Sequence, residues 1–354
     1  MQSAHLSILQ CPISQQELLI ASREQLAIAN EQLHEFFFSF EEGLVNAGAD
    51  WFFPAYKDVY CLHPFYAIPL KENARPTREM EFDKKRIFNY FNQIGYQQFE
   101  GQSIYDDAKQ FVDFRPFLLP YTQHGFYNCR QYLDQQGKYY VDVACGSVAF
   151  KEYIQLAEGF EYRVCVDQSL NALLQAKQNL HQYGQNGIFI CGDLVSLPLK
   201  TGIADAVLCQ HALFHVPASY QLKALQELVR VAATGKKIAI VYDWFYHSWF
   251  MNLALGPYQL YRVFRHYAGK IYARLLNKDK LYFYSHGLSW FRRNNPGKKL
   301  SVYVWRSFNI HFSRIYLHKK LGGEKLLSYI WKLEKKYPEK MGKLGEYPII
   351  VIEK

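Results

Sequence analysis

Two imidazoles stand four residues apart in Gln210-His211-Ala212-Leu213-Phe214-His215-Val216-Pro217, directly after an apolar run at 206–209. At that spacing they would share one face of a short helical turn. A neutral imidazole there can take a proton from a hydroxyl or amine near pH 7, which makes His211 and His215 candidate catalytic bases. The alternative is a pair of packing or capping histidines. A carboxylate, Asp167, closes the apolar stretch Tyr162-Arg163-Val164-Cys165-Val166. Its two oxygens can each accept one hydroxyl hydrogen, which suits the vicinal pair of a ribose. Its other reading is an acid at the start of a helix over 169–180, although Ser169 can cap that helix itself.

The elements that must position these groups are legible around Val141-Asp142-Val143-Ala144-Cys145-Gly146-Ser147. Residues 139–143 alternate as a strand, 144–147 break into small residues, and 150–157 suit a helix. Gly146 has no Cβ, so the chain can turn sharply and a ligand can approach its backbone. The helix that follows would aim its N-terminal amides at that ligand. Asp167 ends the next strand roughly 20 residues after the glycine, the separation expected for a ribose-binding acid.

Taken together, these stretches resemble the class I S-adenosylmethionine-dependent methyltransferases. The family's first motif stands here as Asp142-Val143-Ala144-Cys145-Gly146-Ser147, and its acid after strand two as Asp167. The adenine-contacting acid matches Asp193 in Cys191-Gly192-Asp193-Leu194, and strand four matches residues 205–211. Glu227-Leu228-Val229-Arg230-Val231, Thr234-Gly235-Lys236-Lys237 and the run 238–242 match the helix, hairpin and fifth strand that follow. The resemblance implies an α/β fold with a Rossmann-like, seven-stranded, mostly parallel sheet whose last strand, 347–352, is antiparallel. It implies S-adenosylmethionine as cofactor, held by Asp142, Ala144, Gly146, Asp167, Gln168, Asp193, Leu194 and Gln210. It also implies that the segment carrying His211 and His215 lies beside the reacting methyl group. The sequence departs from the pattern at Val148-Ala149, where a second glycine is usual, and at Ala233-Thr234-Gly235, where a Pro-Gly pair is usual.

Length and composition set the frame. The 354 residues suggest two domains. Aromatic residues reach 17%, carried mainly by 28 Tyr and 26 Phe, enough to fill cores and still line a pocket. The net charge of +9 permits an anionic partner such as RNA or lipid headgroups without requiring one. Seven scattered cysteines with no Cys-x-x-Cys pair imply reduced thiols and a cytoplasmic setting. No signal peptide is expected, and no apolar run reaches the roughly 20 residues of a transmembrane helix.

Residues 1–75 read as a small separate α+β module, with 76–354 as the methyltransferase domain. The module resembles the zinc-ribbon-like units found beside some methyltransferases, through Cys11-Pro12-Ile13-Ser14 and Cys61-Leu62-His63. Ser14 stands where a second cysteine would complete the pair, so a degenerate copy without metal is expected. The segment before the first motif would cover the pocket in related enzymes, which makes Tyr90, Tyr96, Tyr105, Arg115 and Tyr121 candidate roof residues. After strand five, residues 243–298 form an insertion that reads as helical, basic and aromatic. It is expected to be a substrate lid with Tyr242, Trp244 and Tyr246 toward the substrate; a membrane-surface face and an RNA contact are its alternatives.

The leading functional expectation is methyl transfer to a small-molecule acceptor in an aromatic-lined pocket. RNA base methylation is the second, although no Asn/Asp-Pro-Pro-Tyr/Phe tetrad follows strand four. A cofactor-binding protein without activity is the third. The acceptor atom and the oligomeric state are left open by the sequence.

Overall fold

The structure is a computed structural model, and it describes residues 3–31, 40–71, 82–94, 96–99, 102–105, 112–275 and 281–354. The strands, in chain order, begin with β1 (Leu18–Ile20), β2 (Glu42–Asn46), β3 (Trp51–Tyr56), β4 (Val59–Cys61) and β5 (Ile68–Pro69). A separate hairpin, β6 (Tyr96–Phe99) and β7 (Gln102–Tyr105), follows. The remaining strands are β8 (Gly137–Val143), β9 (Phe160–Asp167), β10 (Gly187–Cys191), β11 (Ala204–Gln210), β12 (Ala232–Val241), β13 (Lys299–Arg306) and β14 (Tyr347–Glu353).

The central order is β10-β9-β8-β11-β12-β14-β13. The first five of these strands are parallel, and β14 runs antiparallel to both β12 and β13. These strands form the mostly parallel centre, with β14 antiparallel, of a sheet that has twelve strands among the described residues. The chain passes from β8 outward to β9 and β10, then returns to the other side of β8 to begin β11. That reversal opens a crevice at the carboxyl ends of the strands, the usual ligand site of open α/β sheets.

Alternation along each strand divides the core. Val141 and Val143 of β8 face one side with Val164, Val207 and Ile238; Tyr140 faces the other with Leu208 and Ala239. Helix Gln221–Val231 covers the first face through Ala224, Leu225 and Leu228, the last lying four and three residues after the other two, and all three are fully buried. Helix Leu170–Gln182 packs through Leu173, Ala176 and Leu180 and is capped by Ser169, whose side chain accepts the Ala172 N–H at 3.3 Å.

The N-terminal segment was expected as a separate unit, but it is hydrogen-bonded into the same sheet. Strand β4 pairs in parallel with β10, with Cys61 opposite Cys191, and β3, β2 and β1 continue outward. The exposed edge of a parallel sheet offers unpaired backbone groups, and β4 covers it. Cys11 and Cys61 are both buried in this module. The Cys11 sulfur receives the Ser14 N–H at 3.4 Å, and the Cys61 thiol lies 3.8 Å from the Val59 carbonyl.

A short turn at Phe245–His247 leads to helices Trp249–Leu255, Pro257–Leu275 and Leu288–Arg293.

Candidate active site

A cavity of about 800 Å³ lies at the carboxyl ends of β8 to β12. Its floor is made by the turns that leave the strands. Several of these turns hold non-glycine residues in the left-handed region: Ala144 (φ +57°) and Val148 (+48°) after β8, His211 (+54°) after β11, and Phe245 (+48°) after β12. Such conformations are costly for residues with a Cβ, most of all for a β-branched one, and they gather at functional sites. Val148 takes this conformation in the stretch where the family usually has a second glycine.

On one side of the cavity lie the acid-tipped strand ends. Asp167 Oδ2 accepts the Gly146 N–H and Oδ1 accepts the Ser169 N–H, each at 2.9 Å. A carboxylate oxygen can accept from more than one donor. Asp193 Oδ1 accepts the Val195 N–H at 2.9 Å, and Oδ2 pairs with Lys84 Nζ at 3.2 Å. Burial would push the Asp193 carboxyl up, but Lys84, His63 and the Val195 amide outweigh it and hold it below the usual carboxylate range. Asp142 is buried against the Arg163 guanidinium, which also donates to the Tyr153 carbonyl at 2.7 Å. Ala144, Gln168, Leu194 and Gln210 line the same wall, so the eight residues expected to hold the cofactor converge on one cavity.

The histidines lie at the bottom, but not as a helical pair. Only Leu213–His215 form a short 3₁₀ turn, and His211 precedes it in the left-handed conformation. That conformation removes the shared helix face expected from the i, i+4 spacing. The His215 Nδ1 is 2.8 Å from the Tyr282 carbonyl, which can only accept, so Nδ1 carries the proton and Nε2 is the basic nitrogen. The His211 ring meets Trp305 edge-on at 4.6 Å. Burial, helped by Arg306 and His215, pushes the His211 pKa down to about 3; burial pushes His215 down to about 4. Both are neutral at pH 7, and both hold a captured proton poorly.

The opposite wall carries groups the sequence reading did not assign to the site. Asp243 lines the cavity just after β12, its Oδ1 accepting the Phe245 N–H at 2.7 Å. Burial first, and then the nearby Glu346, raises its carboxyl well above the ordinary range. Arg262 reaches across from helix Pro257–Leu275 to Glu346, at 3.2 Å, and its guanidinium lies 5.4 Å from the centre of the Phe245 ring. Arg306 lies over the Tyr347 ring at 4.7 Å. His266, Phe283 and Trp305 complete this wall. The position of Asp243 directly after a strand was a usable signal. Arg306 and Tyr347 offered none, because they reach the cavity only through folding of the C-terminal strands.

The expected substrate residues divide. Tyr90 lines the cavity. Tyr242 does not: it is fully buried below the cavity floor, donating to Gln221 at 3.2 Å and accepting the His286 N–H at 3.0 Å. Trp244 is likewise core, its indole N–H on the Gly342 carbonyl at 2.9 Å. Tyr246 packs beside His247, and the neighbouring Phe245 takes the cavity position instead. Successive residues after a strand point in different directions, so the aromatic run could not all face inward. Tyr121 is buried away from the cavity, donating to Glu334 at 2.9 Å. Arg115 is locked by Asp113 and the Leu317 carbonyl. The Tyr96 and Tyr105 side chains lie outside the described residues.

Residues 141–240, which supply most of this floor, match the family of methyltransferase domains. The segment is a methyltransferase domain. No curated protein matches the sequence. Among solved structures, a chain from the complex of the Haloferax volcanii Trm112 methyltransferase activator is 12% identical (TM-score 0.42), with 67% of this chain and 91% of that chain covered. A SAM-dependent methyltransferase from Archaeoglobus fulgidus is 13% identical (0.39; 66% and 94% covered). The N-methyltransferase NodS from Bradyrhizobium japonicum, in complex with S-adenosyl-L-homocysteine, is 15% identical (0.34; 40% and 69%).

The cavity has the chemistry that S-adenosylmethionine requires: hydroxyl acceptors on Asp167, small residues along 144–147 for close approach, and apolar cover from Leu194 and Val195. Among the described residues, no cluster of His, Cys, Asp and Glu could hold a metal ion.

Proposed function

We propose that the chain methylates a small, largely apolar acceptor carrying at least one ionisable polar group. The observation that carries this reading is the two-sided cavity. Acid-tipped strand ends form one wall, and an aromatic wall with Asp243, Arg262 and Arg306 forms the other. Its volume falls within the range of roughly 300–1,000 Å³ typical of small-molecule sites. Bound S-adenosylmethionine supplies a methyl group already activated on a sulfonium, so the protein's main contribution is alignment of the acceptor.

Asp167 and Gly146 hold the ribose side of the site, with Asp193 toward the base. Phe245, Phe283 and Tyr90 exclude water and seat the apolar part of the acceptor. Arg262 and Arg306 orient its polar group. Asp243 takes the acceptor's proton, because burial and Glu346 raise its affinity for one. This assigns the proton to Asp243 instead of His211 or His215, whose lowered pKa values suit neutral, positioning roles.

The test is incubation with methyl-labelled S-adenosylmethionine and cell extract separated into small metabolites, lipid and RNA. Label in a small organic molecule, whether water-soluble or lipid-extractable, supports the reading. Label in RNA overturns the acceptor class, and no uptake in any fraction overturns the activity.

A further inference from the structure

Helix Pro257–Leu275 has its polarity turned inside out. Gln259 is buried, and Arg262 and His266 line the cavity, so these three polar residues point toward the interior. Its apolar residues point outward. Leu260, Phe264, Tyr267, Ile271 and Leu275 recur every three or four residues and therefore share one face. Leu260, Phe264 and Leu275 are 73%, 72% and 78% exposed. The preceding helix, Trp249–Leu255, turns into this one at Gly256 and adds Trp249 and Leu253, also well exposed. Tyr316, half exposed on the adjoining helix Ile310–Tyr316, donates to the Ala254 carbonyl at 2.6 Å and borders this face. Single exposed apolar residues are ordinary, but a row of this length is not.

The charge pattern indicates what covers the face. Residues 244–278 contain no Asp or Glu, yet include Arg262, Arg265, Lys270, Arg274 and Lys278. Arg265 is exposed beside the apolar row. A helix with Leu, Ile and aromatic residues on one face, in a stretch whose charged residues are all cations, is suited to lie in the plane of an anionic bilayer. Its apolar side enters the acyl boundary, and its cations meet the headgroups. A protein partner's surface would more often be matched by charges of both signs. No described helix is long and apolar enough to cross a membrane, so the contact would be peripheral.

We infer that residues 249–275 form a docking surface for the surface of an anionic lipid bilayer. The inner side of the same helix contributes Arg262 and His266 to the cavity wall, so docking would place the cavity beside the membrane.

The experiment is flotation of the full chain with vesicles of phosphatidylcholine alone or of phosphatidylcholine with phosphatidylglycerol. Binding to the anionic vesicles should exceed binding to the neutral ones by at least about tenfold, and added salt should reduce it. The double variant Phe264→Glu/Ile271→Glu, altered only at exposed positions, should lose vesicle binding while keeping its melting temperature and S-adenosylmethionine affinity. Arg265→Glu should weaken binding to anionic vesicles only. Equal binding to both compositions, no binding to either, or undiminished binding by the double variant would each overturn the inference. A concentration-dependent dimer that the double variant dissolves, without vesicle binding, would overturn it in favour of a second copy as the occupant.

Discussion

The carboxylate of Asp167 receives the backbone N–H of Gly146 at 2.9 Å, joining the tip of the second core strand to the turn after the first. The group proposed to grip the ribose therefore also shapes the turn that admits the cofactor. Asp167→Ala is expected to weaken S-adenosylmethionine binding by about 1–3 kcal/mol, the range for a lost hydrogen bond to a charged group. Asp167→Asn keeps one acceptor oxygen and should lose less. Titration calorimetry on the two variants decides it; unchanged affinity in the alanine variant would remove Asp167 from the binding site.

Lys84 and Asp193 tie the segment before the first motif to the end of β10 across 109 residues of sequence. The Asp193 pKa is depressed in the folded state, so its contribution to stability is present above the unfolded carboxylate value of about 4 and is lost as pH falls below it. Lys84→Met should cost about 1 kcal/mol at pH 7 and flatten the acid limb of stability. Urea denaturation between pH 3 and pH 7, spanning the carboxylate range of about 4, would show this as converging midpoints at low pH. Parallel curves would refute the coupling.

Asp243 and the two histidines make opposite claims on the pH profile. Asp243→Asn should lower turnover by roughly 10²–10⁴-fold and abolish the acid limb of the rate profile, since the wild-type carboxylate must deprotonate before it can accept a proton. His215→Gln should cost about tenfold or less and keep that limb, because His215 is already neutral down to about pH 4. A larger loss in the histidine variant than in the aspartate variant would return the base role to the imidazole.

Val148 sets two opposed terms against each other. Its left-handed backbone costs about 1–2 kcal/mol, and its buried side chain contributes about 1.5–3 kcal/mol by packing. Val148→Gly relieves the first and loses the second, so stability should change by only about 1 kcal/mol. Val148→Ala loses packing while keeping a Cβ in the strained conformation, and it should be the less stable of the two. The usual order, with alanine above glycine, would show that the position carries no strain; comparison of urea midpoints distinguishes the cases.

Phe245 and Trp244 are neighbours with separate jobs. Phe245→Ala should raise the KM for the acceptor, and because its ring also packs against His266 and Phe283 it should lower the melting temperature as well, with the KM effect the distinguishing one. Trp244→Ala should destabilise the fold by about 3–5 kcal/mol through the emptied core position and the lost bond to the Gly342 carbonyl. Thermal melts paired with steady-state kinetics separate the two effects.

What the sequence determined by itself was whatever depends on neighbours along the chain. The alternation of β8, the small-residue turn through Gly146, the acid closing β9 and the Ser169 cap are local patterns, and each fixes a backbone path within a few residues. Motif order then located Asp193 and the strand before His211. Folding decided everything that depends on which distant surfaces meet. Strand β4 lies beside β10 because a parallel edge must be covered, a requirement invisible in residues 1–75 alone. Arg262 and Glu346, 84 residues apart, meet beside Asp243 because β14 inserts antiparallel between β12 and β13. His211 leaves its expected helical face because the chain needs a left-handed residue to turn out of β11. The aromatic run at 242–246 divides between core and cavity for the same reason: composition states how much apolar surface must be buried, while only the path of the backbone through the packed sheet decides which side chains bury it.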